Sequence, residues 1–138
     1  MDRPRDAVVS TSNPASRDTV RLTIPASLPF VRLPRVAIAG LATRSGFSYD
    51  EVEDLRLAVG EVCQVLLDGA DRAGSLTIDF TVARGSMRVE VSLAGIPGTG
   101  DGLGERLAEQ ILAAPVGKVE VADDGRRISF AMSAADDE

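Results

Sequence analysis

The sequence has no histidine, one cysteine (Cys63) and one lysine (Lys118) among 138 residues. Without histidine it builds neither a Ser-His-Asp triad nor a histidine-held metal site. A single thiol closes no internal disulfide and no thiolate zinc cluster. No apolar run approaches the ~20 residues needed to span a bilayer, and the N-terminus lacks a signal-peptide pattern. The expectation is a cytoplasmic protein without a membrane partner. Aromatics are scarce, four Phe and one Tyr, and the formal net charge is −6. Nucleic-acid affinity rests on a basic face, so no nucleic-acid partner is expected either. Nearly all the basic residues are arginine, which fits coding bias and is also compatible with planar ion pairing. What remains is 44% hydrophobic, enough for one domain with one core.

The longest periodic segment is residues 47–67. Ser48 followed by Glu51 is a capping-box start, with Phe47 placed as a hydrophobic staple. Asp50, Glu51, Glu53 and Asp54 crowd the positive end of the helix dipole. Val52, Leu55, Val59, Val62 and Leu66 then follow the 3.6-residue period as a core stripe. Glu61 sits just off it, with Leu57, Ala58 and Val65 three or four residues away. Two readings stand: a carboxylate that snorkels or pairs with an arginine, or a partly desolvated pocket carboxylate fit to act as a general base. Cys63, in the helix interior, reads as a buried structural thiol.

Around this helix the chain divides into an arm (1–18), a domain (19–133) and an acidic tail (134–138). The first 18 residues mix Pro, Ser and charges without a period, which predicts disorder. Residues 19–24 alternate as a strand and stop at Pro25. Ser27 is placed to cap a helix starting near Leu28 and Pro29, with an irregular start or a kink at Pro34. That helix turns Val31, Pro34, Ile38 and Leu41 inward and Arg32, Arg35, Ala39 and Thr43 outward, a face that is either solvated or a partner surface. Residues 76–82 and 87–93 alternate strictly about Arg84-Gly85-Ser86, a hairpin. A glycine-rich run from Gly95 to Gly104 then leads into a helix over 105–113. It is either a flexible loop or a set of backbone N–H groups offered to a phosphate, and it fits neither the P-loop nor the Rossmann pattern. Short strands at 118–121 and 127–132 follow. The order β, α, α, β, β, α, β, β predicts an α+β two-layer sandwich: a mixed, mostly antiparallel sheet with helices on one face.

Residues 35–63, from Arg35 through the Ser48/Glu51 cap to Glu61 and Cys63, resemble the first two helices of the RsbW-type anti-sigma factors. These are serine-protein kinases with the GHKL, or Bergerat, histidine-kinase-like ATPase fold. The resemblance extends more loosely from Thr19 to Met132. It implies ATP and magnesium as cofactors, held by three features. The second helix of the family carries a general-base Glu, matched by Glu61, and four residues later an Asn that holds magnesium, where this chain has Val65. An Asp-x-Gly receives the adenine amino group; here it reads Leu93-Ala94-Gly95. A lid closes before a Gly-Leu-Gly, present as Gly102-Leu103-Gly104 behind a short segment, 96–101. Magnesium needs oxygen ligands, and a buried donor without an acceptor costs roughly 1–3 kcal/mol, so ATP binding is expected to be weakened or lost.

The resemblance also implies partners: an alternative sigma factor of the stress or sporulation class, contacted through Arg35 with Arg32 beside it, and an anti-anti-sigma protein that releases it. It further implies a homodimer, built through a sheet edge or the first helix. Three functions follow: a binding-only anti-sigma regulator, an ATP-dependent serine kinase using Glu61 with Gly95, Gly102 and Gly104 around the phosphates, or a ligand-sensing scaffold using an apolar pocket at Val65 and Leu93.

Overall fold

A computed structural model describes residues 9–12, 17–68, 74–94, 117–122 and 126–135. The described chain runs β1 (Val9–Ser12), β2 (Asp18–Pro25), a 3-10 turn (Leu28–Val31), α1 (Arg32–Arg44), α2 (Tyr49–Asp68), β3 (Ser75–Ala83), β4 (Ser86–Ala94), β5 (Gly117–Ala122) and β6 (Arg127–Ser133). The six strands form one sheet in the order β1-β2-β3-β4-β6-β5. This is the α+β two-layer sandwich expected from the sequence. The predicted helix over 105–113 and the glycine-rich run before it lie outside the described residues.

The sequence predicts a mixed, mostly antiparallel sheet, and every pairing among the described strands is antiparallel. The reason is the path through the helices. Pro25, the last residue of β2, lies opposite Ser75, the first of β3, so the helix pair returns the chain to the end it left and β3 runs back along β2. The arm predicted to be disordered differs: Val9–Ser12 pairs with β2 from Val9↔Leu22 to Ser12↔Thr19 and adds an edge strand.

In β3 and β4 the alternating residues Leu76, Ile78, Phe80, Val82, Met87, Val89, Val91 and Leu93 are buried on one side. Ile128 and Phe130 of β6 extend that face. The predicted stripe of α2 is buried in full, with Leu55, Val59 and Val62 at 0% exposure, and is joined by Ala58, Cys63 and Val65. The other side of the sheet carries polar ladders. Arg21 Nε donates to Asp79 Oδ1 at 2.7 Å and its Nη2 to Oδ2 at 3.2 Å, across the register pair of β2 and β3. This pairing with Asp79 holds the guanidinium pKa above its ordinary value.

The 3-10 turn absorbs Pro29, so α1 begins only at Arg32 and Pro34 falls in its first turn, where a missing N–H costs nothing. Ser27 makes no side-chain cap bond. At the far end, Gly46 at φ +92° and the Phe47 N–H to Ala42 C=O bond of 3.3 Å close α1 in a left-handed cap that glycine adopts without strain.

The start of α2 is a capping box. Ser48 N–H donates to Glu51 Oε1 at 2.8 Å, and Glu51 N–H donates to Ser48 Oγ at 3.2 Å. Glu51 Oε2 also accepts from the Ala135 N–H at 2.7 Å, which ties the chain leaving β6 to the head of α2. These backbone donors, Ser48 first and Ala135 second, hold the Glu51 carboxyl below its ordinary pKa. A carboxyl with a folded pKa below its unfolded value of about 4.3 contributes stability at neutral pH and loses it as pH falls through the folded value. Glu51→Gln is therefore expected to lower stability at pH 7 and to shrink the stability lost on going from pH 5 to acid, as read by urea unfolding across that range. Ser48→Ala is expected to cost about 1 kcal/mol at every pH.

Candidate functional site

The two helices meet where α2 has no side chain. A β-carbon placed on Gly60 would stand 3.4 Å from Arg35 Cδ, 3.7 Å from its Nε and 3.9 Å from its Cγ. The stem of Arg35 therefore lies across the bare backbone of α2, and this packing fixes the origin of its guanidinium. Arg35 and Arg32 are both exposed, and neither pairs with an acid among the described residues. Between and beside them stand Leu33, 44% exposed, and Val36, 67% exposed, with Leu28 and Phe30 of the 3-10 turn also open.

This outer face differs from the one read in the sequence. Pro34, Ile38 and Ala42 take the buried positions, while Val31 and Leu41 only pack against the core edge. Arg32, Arg35 and Thr43 are exposed as expected, and Ala39 is half-buried. Leu33 and Val36 were missed. Their signal is their spacing: three apart and offset from Pro34 and Ile38, they fall on the solvent side of the helix.

Glu61 follows Gly60 on α2. It is half-buried and has no hydrogen-bond or ion-pair partner among the described residues, so the arginine pair weighed from the sequence is not formed there. Leu57, one turn before it, is 50% exposed, while Ala58 and Val65 belong to the core. Val65 is 3% exposed and Leu93 7%. Both are packed hydrophobes, and neither side chain carries an atom that ligates magnesium or accepts a hydrogen bond from an adenine amino group. The residues at these two positions do not fit the cofactor that the resemblance implies. Gly95, Gly102 and Gly104 lie outside the described residues. Cys63 is buried, and desolvation pushes its thiol up to about 12, so it is no nucleophile at neutral pH. No described helix is long and apolar enough to cross a membrane.

A sheet covered on one face by α1 and α2, with the capping box and Glu61 on the second helix, defines a GHKL-like α+β domain. No family model matches the chain. The chain is similar to a serine-protein kinase RsbW of Halalkalibacterium halodurans, 34% identical over 79 residues, which cover 56% of this chain and 49% of that protein. It is also similar to the serine-protein kinase RsbW of Bacillus subtilis, 35% identical over 81 residues (56% and 51%), and to that of Listeria monocytogenes, 33% over 78 residues (54% and 50%). The chain is thus similar to the RsbW-type proteins over part of its length and spans about half the length of the curated relatives it matches.

The contact at Gly60 makes a prediction about the helix pair. A methyl group there would meet the Arg35 stem at ordinary van der Waals distance and would remove the entropic cost of glycine within a helix. Gly60→Ala is expected to raise stability by about 0.5–1 kcal/mol in urea unfolding. A loss of similar size would contradict this packing.

Proposed function

We propose that this protein is an anti-sigma-factor-like regulator that sequesters an alternative sigma factor by binding, is countered by an anti-anti-sigma protein, and has weakened or lost ATP binding. One contrast carries the reading. The outer face of α1 is built and open, with Arg35 seated on Gly60 and two guanidiniums, unpaired among the described residues, beside exposed Leu33 and Val36, while Val65 and Leu93 are buried hydrophobes. A partner whose surface pairs acidic with apolar side chains suits that face. Oriented guanidiniums supply specificity and on-rate, and the apolar residues between them supply the burial. Phosphoryl transfer depends on metal and positioning, so apolar residues at both holding positions leave little catalysis.

The protein acts in the cytoplasm, in stress or sporulation control, by switching between the two partners. It works as a homodimer assembled through an edge of the sheet, of which β1 and β5 are the outermost described strands, or through α1.

A second reading is an active ATP-dependent serine kinase whose substrate is the anti-anti-sigma protein. It is favoured by the half-buried carboxylate of Glu61, which no described residue engages, and by the kinase names of the relatives. That reading needs a magnesium site other than Val65.

Arg35→Glu is expected to abolish capture of the sigma factor while leaving the thermal melt in place, because the residue is exposed and no described acid depends on it. The check is co-purification with candidate sigma factors alongside calorimetry of the variant. Capture equal to that of the unmodified protein would remove Arg35 from the site.

A further inference from the structure

The described chain also holds a cleft at the end of β4 away from Leu93. The C-terminal turn of α1, the first residue of β2 and the tip of the β3–β4 hairpin enclose about 480 Å³, lined among others by Asp18, Thr43, Arg44, Ser45, Gly46 and Arg84. This is within the ~300–1,000 Å³ of ordinary small-ligand sites. It lies at the hairpin end of β4, whereas Leu93 lies seven residues along the strand, about 23 Å away at the usual rise.

The walls are fixed to one another. Gly85 N–H donates to Ser45 C=O at 2.8 Å, and Gly85 C=O accepts from Ala134 N–H at 2.8 Å, with Gly85 held at φ +76°. The two arginines come from different elements, Arg44 from the end of α1 and Arg84 from the β3–β4 hairpin. Both are exposed, and neither has an acidic partner among the described residues of a chain with net charge −6. Three carbonyls in the last turns of α1 already accept extra bonds: Thr43 Oγ1 donates to Ala39 C=O, Ser45 Oγ to Leu41 C=O, and the Ser45 and Phe47 N–H groups to Ala42 C=O.

We propose that this cleft binds a phosphate monoester, its phosphate shared between Arg44 and Arg84 and the hydroxyl-bearing organic part donating to Asp18. A carboxylate has two oxygens and saturates one guanidinium fork. A phosphate monoester has three non-bridging oxygens and close to two negative charges, which suit two guanidinium forks, one from the helix end and one from the hairpin. Asp18 disfavours a second anion and accepts from hydroxyl donors, which selects an ester of a polyol over the free ion.

The test is a titration of the isotope-labelled full chain, followed through its amide resonances, with glycerol 2-phosphate, inorganic phosphate, acetate and glycerol. Glycerol 2-phosphate is expected to give saturable shifts at residues 43–46 and 84–85, inorganic phosphate weaker ones, and acetate and glycerol none. Arg44→Gln and Arg84→Gln should each weaken glycerol 2-phosphate roughly tenfold with the rest of the spectrum unchanged. Asp18→Asn should narrow its advantage over inorganic phosphate. The proposal is overturned if the shifts do not saturate, if acetate binds as well as the ester, or if neither arginine variant weakens binding.

Discussion

The domain depends on the burial of one stripe of α2 against one face of the sheet. Leu55, Val59, Val62 and Leu66 meet an inner face made of Leu76, Ile78, Phe80, Val89, Val91, Ile128 and Phe130, and nearly all of them are fully closed to solvent. Each such side chain contributes about 1.5–3 kcal/mol of transfer free energy, far more than any surface pair in the molecule. The geometry of the rest follows from keeping that layer intact. The Arg35 stem of α1 rests on α2 at Gly60, at a spacing that a methyl group would also fit. The capping box and the third bond of Glu51, to Ala135, hold the head of α2 to the chain leaving β6.

Val65 and Leu93 belong to the same layer, one on α2 and one near the end of β4. The outer side of α1 takes no part in that core. It stays free to carry guanidiniums and exposed leucine and valine without any cost to packing.

What the sequence made legible was local. The Ser48/Glu51 cap spans three residues, the stripe of α2 repeats every three or four, and the strands of the central hairpin alternate every two. Each is a short-range pattern that the structure keeps within one residue. What escaped it depends on distant partners. The strand at Val9–Ser12 exists because β2 offers an edge, and its own residues show no alternation strong enough to announce it. The cleft between Arg44 and Arg84 joins residues forty positions apart through the bond between Gly85 and Ser45. Leu33 and Val36 are assigned to neither face in the sequence because the phase of a helix depends on where it starts. That phase was set by the 3-10 turn at Leu28–Val31, which moved the start of α1 to Arg32. For Glu61, spacing placed the carboxylate among hydrophobes, but only the fold shows that no described cation meets it.

The proposed function has this RsbW-like chain work by binding and not by phosphoryl transfer. Calorimetric titration of the purified protein with magnesium-ATP, run beside ATP with a chelator, addresses it most directly. Binding-only regulation predicts no magnesium-dependent heat at high micromolar protein. Magnesium-dependent binding in the micromolar range would contradict it and would show that the hydrophobes at Val65 and Leu93 leave the nucleotide site working.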